Sequence, residues 1–231
     1  DKIAPTWFVF ENVYGLTKFK NGEENIQNHI ENRFRDIGYT VKSKILYASD
    51  FGVPQRRNRL FIVGNRNGID FEFPKEFDYS VSVDEAISDL PVLGNGEIQM
   101  KGEYTVPFEQ ASPYAQLMRK KSKAPTQNIV SRNKDYVVER YKYIGQGENW
   151  SSIPDRLMEN YADKKRCHSG IYKRLIGGKP SVVISNYRKS MLIHPHQDRG
   201  LSVREAARLQ SFPDHFIFEG PVSYVQQQIG N

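Results

Sequence analysis

Two arginines and a glutamate have the residue types and spacing to do chemistry in this chain. In the stretch Asp50-Phe51-Gly52-Val53-Pro54-Gln55-Arg56-Arg57-Asn58-Arg59, polar and turn-forming residues lead into the apolar run Leu60 to Val63. Gly52 can take positive φ, and Pro54 fixes its own φ while restricting Val53, so a turn is expected before a buried strand. Side chains alternate faces along a strand, which puts Arg57 and Arg59 on one face and Arg56 and Asn58 on the other. Two guanidiniums on one face, where a loop enters a sheet, suit a carboxylate, a phosphate or the carbonyl edge of a base. Glu11 directly follows a second apolar run, Trp7 to Phe10. Ligands of open α/β sheets sit outside the carboxyl ends of the strands, so an acid there is a candidate for chemistry. The alternative is a Glu that caps a loop or pairs with an Arg.

These side chains need a framework. Trp7 to Phe10 reads as a central strand of a parallel sheet, being short and apolar on both faces. Beyond a polar loop through Asn21 and Gly22, Ile26, Ile30, Phe34 and Ile37 recur at helical spacing, with Gly38 as a C-terminal stop. Tyr39, Val41, Ser43, Ile45 and Tyr47 then alternate with mostly polar neighbours, as in a strand. Strand, helix, strand, turn, strand is the second half of a doubly wound sheet, without its first half. From about Phe71 to Gln197 the sequence turns irregular, polar and basic, with a short helix at Val83 to Leu90 ended by Pro91. Arg119, Lys120, Lys121, Arg132 and Lys134 lie here, interleaved further on with Arg140, Tyr136, Tyr141 and Tyr143. Such mixtures suit backbone and groove contacts to DNA; the competing reading is a solvated face plus core tyrosines. Near the end, Ser202-Val203-Arg204-Glu205 is a capping box opening a helix that Phe212-Pro213 stops, with Arg204 and Arg208 on one face.

The Gln55-x-Arg57-x-Arg59 block after Gly-Val-Pro resembles the corresponding block of DNA cytosine-5 methyltransferases. Three more stretches resemble the same family in the same order. They are Phe10-Glu11-Asn12-Val13, the run from Arg199 through Ser202, Arg204 and Glu205 to Asp214, and Gln228-Ile229-Gly230-Asn231. The resemblance nearly spans the chain. It implies an incomplete doubly wound, Rossmann-like methyltransferase sheet plus a smaller irregular α+β target-recognition domain. Residues 1–70 would be the second half of the catalytic domain, 71–197 the recognition domain, and 198–231 a return segment packing on the catalytic domain.

Carbon 5 of cytosine is a poor nucleophile. The family activates it with a cysteine thiolate that attacks C6, after which the ring takes a methyl group from S-adenosylmethionine. By resemblance Glu11 would serve N3 and Arg59 would serve O2, where negative charge builds, while Arg57 holds the site together or supports the nucleophile loop. Glu11 would need a proton at neutral pH, from a pKa raised by burial or shared with the base. The target base would be flipped out of the duplex. Arg119, Lys120, Lys121, Arg132 and Lys134 are the expected DNA contacts. Arg204 is read as structural or as a phosphate contact, and Asn231 as a cofactor contact.

Two parts of the family pattern do not occur in the sequence, the Gly-rich cofactor loop and the Pro-Cys nucleophile. The single cysteine, Cys167, follows Glu11 instead of preceding it and is read as a surface or core thiol. Cys167, His168, His194 and His196 fit no common zinc spacing. The chain starts at Asp1 and stops at Asn231 with no closing element, so it is expected to be part of a longer protein. That part would be inactive alone, partnered by the N-terminal half of the catalytic domain in cis or as a separate chain, and monomeric when complete.

The net charge of +6 permits double-stranded DNA as partner without requiring it. With 38% hydrophobic and 26% charged residues, the composition is that of an ordinary soluble protein. No apolar run approaches the roughly 20 residues of a membrane span, and one cysteine allows no internal disulfide framework. A prokaryotic, cytoplasmic, nucleoid-associated setting is expected, with a restriction-modification context. Two other readings stay open: a DNA-binding specificity subunit or degenerate relative, and an α/β protein binding a different anionic nucleotide.

Overall fold

Leu60 and Ile62 are fully buried in the middle strand of a three-stranded sheet, and the first part of the chain is built around them. The computed structural model describes residues 3–21, 24–159, 168–185, 187–188 and 191–231. Cys167 lies outside those residues. The chain forms two compact units, one of residues 1–51 and 57–79, the other of residues 52–56 and 80–231.

In the first unit the strands are β1 (Trp7–Val13), β2 (Lys20–Asn21), β3 (Glu24–Asn25), β4 (Thr40–Tyr47) and β5 (Asn58–Asn65). β2 and β3 form a two-residue antiparallel ladder that leads into helix α1 (Ile26–Asp36). Asn25 caps α1, its side chain accepting from Gln27 N at 2.8 Å, and the expected helical face appears with Gly38 beyond its end. The main sheet runs β1-β5-β4. α1 covers one of its faces, where Phe34 stacks on Phe8 with ring centroids 4.1 Å apart. Gly64 stands opposite Phe8, and a Cβ there would come within 2.1 Å of the Phe8 ring, so only glycine fits. Helix and sheet are also joined by a polar contact. Ser43 of β4 donates to the buried Glu31 of α1 at 2.7 Å.

The expectation of a parallel sheet with Trp7 to Phe10 at its centre is corrected. β5 is antiparallel to both neighbours, and β1 is an edge strand among the described residues. β1 and β4 do run in the same direction, as a strand–helix–strand unit requires, but β5 returns between them. Composition misled here because β1 is apolar on both faces while one face is open: Val9 is 68% and Val13 52% exposed. Periodicity reports what a strand could bury. It does not report which strand becomes its neighbour.

The second unit contains α2 (Val83–Ile87), β6 (Ile98–Lys101), α3 (Pro113–Arg119), β7 (Thr126–Ile129), α4 (Asp135–Tyr141), α5 (Val203–Leu209) and α6 (Val222–Gly230). β6 and β7 pair antiparallel. Every residue of α5 is buried, and Val203, Ala206, Ala207 and Leu209 join Val83, Ala86, Ile129 and Val225 in one apolar core. The capping box expected at Ser202 forms, and a second one that the sequence reading did not name forms at α2. The Ser202 side chain accepts from Glu205 N while Glu205 accepts from Ser202 N, and Ser82 and Glu85 repeat the arrangement at α2. A smaller core gathers Val137, Tyr141, Ile144, Met158, Tyr172 and Ile193. No helix among the described residues is long and apolar enough to cross a membrane.

Candidate functional site

Ala48–Phe51 makes one tight turn and Gly52 takes φ +77°, so the chain reverses before β5 as the glycine and proline predict. Register then sets the site. Val13 of β1 lies opposite Arg59, and Glu11 lies opposite Phe61, so Glu11 and Arg59 are diagonal neighbours on one face of the sheet. Arg59 Nε forms an ion pair with Glu11 Oε1 at 2.7 Å, and Arg59 Nη1 donates to the Asn58 carbonyl at 2.8 Å. Among the described residues Arg59 Nη2 and Glu11 Oε2 have no hydrogen-bond partner. The ion pair thus leaves one donor and one acceptor unused. Half of Glu11 is exposed, against about a fifth of Arg59, so both are within reach of a ligand on the open face.

Arg57 belongs to the same charge cluster. Burial lowers its guanidinium from the ordinary value and the Arg59 charge lowers it further, while the Glu11 carboxylate opposes both. Glu11 and Arg59 are therefore brought together in the first unit, with Arg57 near enough to feel both charges. The alternative left open for Glu11, pairing with an Arg, is also realised, and the partner is Arg59 itself.

Gln55, two residues before Arg57, has a different task. It is fully buried in the second unit, where its Nε2 donates to the Leu209 carbonyl at 3.1 Å and to Gln210 Oε1 at 2.7 Å, and its Oε1 accepts from Ile184 N at 3.0 Å. It ties residues 52–56 to the end of α5 within that unit.

Of the expected DNA contacts, Lys120, Lys121, Arg132 and Lys134 are exposed. Arg119 is buried, and its Nη1 donates to the Val106 carbonyl at 3.2 Å and lies 3.4 Å from Asp89. Arg204 resolves to the structural half of its reading. It is fully buried, with Nε on the Thr126 carbonyl and Nη groups on the Pro213 and Phe216 carbonyls. Arg140 and Tyr141, part of the basic and aromatic stretch, are buried as well, Arg140 Nε donating to the Leu157 carbonyl at 2.7 Å. Asn231 sits exposed at the end of α6.

Sequence reasoning missed a buried titrating cluster behind α5. Arg199 holds Glu205 in a two-point fork, Nη1 and Nη2 donating at 2.8 and 2.7 Å, with His194 Nε2 at 3.8 Å. Burial alone would raise the Glu205 carboxyl, but Arg199, His194 and the Ser202 N–H hold it down at about 2. Burial lowers His194 to about 4, aided by Arg199 and opposed by Glu205. A histidine depressed in the folded state is protonated more readily after unfolding. Its contribution is complete above 6.5 and is lost as pH falls from 6.5 towards 4. The denaturant midpoint is accordingly expected to fall over that window, and His194→Gln to flatten it. An equal slope in that variant would assign the pH dependence to other groups.

Comparison with known proteins decides what this arrangement belongs to. The family model described as C-5 cytosine-specific DNA methylase matches residues 1–231. The chain belongs to that family. The type II methyltransferase M.Bpa9945I of Bacillus paralicheniformis is 32% identical over 264 residues, covering 100% of this chain and 58% of that protein. The type II methyltransferase M1.HphI of Haemophilus parahaemolyticus is 33% identical over 229 residues, covering 98% of this chain and 53% of that protein. The methylase chain thus spans about half the length of the curated relatives it matches. In fold it is similar to a solved E. coli prophage protein assigned as a DNA modification methyltransferase, with TM-score 0.67 and 24% identity, covering 98% of this chain and 65% of that one. A mixed α/β methyltransferase fold follows.

S-adenosylmethionine is the methyl donor that this family implies. Asn231, the cofactor contact expected from the sequence, is an exposed polar side chain at the end of α6. No grouping of three or more His, Cys, Asp or Glu that could hold a metal occurs among the described residues.

Proposed function

We propose that this chain supplies the base-side part of a cytosine-5 DNA methyltransferase site, with Glu11 and Arg59 holding the flipped cytosine and Arg57 positioning them. The observation that carries the reading is the pair of unused atoms on the Glu11–Arg59 ion pair. A carboxylate oxygen beside a guanidinium N–H complements a protonated ring nitrogen beside a carbonyl. Cytosine presents that edge, N3 and O2, once a thiolate has added at C6 and N3 has taken up a proton that the base and Glu11 share. Because the two groups are already held by β-sheet register and by each other, they need little reorganisation as charge develops.

The nucleophile and the methyl-donor pocket are assigned to a further segment, in cis or on a separate chain, and this chain is inactive without it. Two features support that assignment. The chain spans about half of each relative, and β1 offers Val9 and Val13 on the same open face that bears Glu11. Residues 1–70 then complete the catalytic domain and 71–197 hold duplex DNA. Methyl transfer from labelled S-adenosylmethionine to mixed-sequence DNA tests this, by the chain alone and by the complete protein. Label transfer by the chain alone would overturn the division of labour, and its absence in the complete protein would overturn the activity.

Lys120 and Lys121 carry the nonspecific part of DNA binding in this reading. Replacing both with Gln is expected to weaken duplex binding and to make its dependence on salt less steep by up to about 2 in log–log slope. An unchanged slope would place these lysines away from DNA.

A further inference from the structure

One built feature of the second unit remains unused by the base-side site. The segment from the end of β6 to Pro107, together with the end of α3, lines an open cavity of about 620 Å³. Arg119 forms its inner wall and is only 7% exposed. Its guanidinium lies 3.8 Å from the centroid of the Tyr104 ring and 5.5 Å from that of Phe108. Tyr104 is itself fixed, its hydroxyl donating to Asp214 Oδ2 at 2.6 Å. Arg119 spends Nη1 on the Val106 carbonyl and Asp89, but its buried Nε has no partner, and Nη2 makes no hydrogen bond among the described residues.

An arginine this deeply buried with donors left over is costly unless something else satisfies it. Asp89 is a weak counter-charge for it, because Asp89 is shared with Arg208, whose Nη1 approaches to 2.8 Å against 3.4 Å for Arg119. Around the cavity stand Lys101 and Lys123, both exposed and without an ion pair among the described residues, against the single carboxylate of Glu103. A stacked, planar guanidinium lining one cavity with two exposed lysines is suited to an oxyanion with several acceptors, and phosphate has that shape and charge.

We propose that this cavity is a phosphate subsite in which Arg119, Lys101 and Lys123 grip one phosphodiester of the DNA backbone. The proposal rests on the DNA-methyltransferase reading above. The cavity is open to solvent, so a phosphate carried on a polymer can enter it. The contact fixes the register of the protein on the duplex and carries no sequence information of its own.

The test uses the complete protein and a mixed-sequence duplex, with affinity measured across a range of salt concentrations. Lys101→Gln with Lys123→Gln removes two exposed charges that the core does not need. Weaker binding and a log–log salt slope less steep by about 1 to 2 are expected, since each phosphate contact contributes roughly 0.9. Arg119→Lys keeps the charge and removes the planar fork, so it should weaken binding several-fold while leaving the slope unchanged, with a melting transition confirming that the variant is folded. A steep wild-type slope retained in full by the double variant overturns the subsite and leaves the DNA reading standing. Absence of duplex binding by the wild-type protein overturns that reading and the subsite with it. Titration with inorganic phosphate separates the two sources of the ligand. If the double variant loses phosphate binding but keeps the wild-type DNA slope, the cavity takes free phosphate and the backbone assignment falls.

Discussion

Glu11→Gln in the complete methyltransferase is expected to cut methyl transfer by about 100-fold or more, and Arg59→Ala by a similar factor, with duplex binding mostly intact. The reasoning starts from the unused atoms. A Gln at position 11 can keep its amide oxygen beside Arg59 Nε, but it then turns an N–H towards the place where Glu11 Oε2 offered an acceptor. A protonated N3 would meet a donor instead of an acceptor. Arg59→Ala removes the donor for O2 and releases Glu11 from its 2.7 Å contact, so both halves of the edge are lost at once. The two groups act as a unit, and the double variant should therefore lose far less than the product of the single losses. Folding is not the cause, because a pair with a half-exposed carboxylate contributes little to stability. Unchanged melting with turnover reduced at saturating substrate is the expected pattern. Wild-type turnover in either variant would sink the role assignment.

The sequence shows the grouping of Glu11 with Arg59 better than it shows the fold. Glu11, Arg57 and Arg59 are legible because strand alternation and a Gly–Pro turn constrain where side chains point, and those constraints are local. The pairing of β1 with β5 is not local. Nothing in Trp7 to Phe10 distinguishes a parallel from an antiparallel neighbour, and its two apolar faces suggest burial that the described residues do not provide. Charge misleads in a related way. Arg119 and Arg140 read as DNA contacts or solvated cations by composition, yet both are buried, their guanidiniums donating to backbone carbonyls. An arginine on a predicted helix can be a solvated cation or an internal cross-link, and only the position of distant carbonyls decides. The Ser202 capping box is a usable signal, since it marks the start of α5, every residue of which is buried.

Arg208→Met is expected to destabilise the second unit by about 3–5 kcal/mol, the largest stability effect of any single change here. Arg208 is fully buried and bridges two carboxylates. Nε and Nη2 hold Asp214 at 2.7 and 2.6 Å, while Nη1 holds Asp89 at 2.8 Å and the Ala86 carbonyl at 2.9 Å. Burial would lower the guanidinium's affinity for its proton, but the two carboxylates reverse this and raise it above the ordinary value. Methionine fills most of the volume, so the loss is electrostatic rather than a cavity. It would strand Asp89 and Asp214, with Tyr104 and the distant Arg119 as their remaining side-chain partners. The measurement is the urea midpoint, compared with that of Arg208→Met combined with Asp89→Asn and Asp214→Asn. Neutralising both acids should recover a large share of the loss, because the penalty lies in the unpaired charges and not in the missing arginine. If the triple variant is no more stable than the single one, the network acts through shape alone. An unchanged midpoint in the single variant would mean that α5 is held by its apolar face without help from these charges.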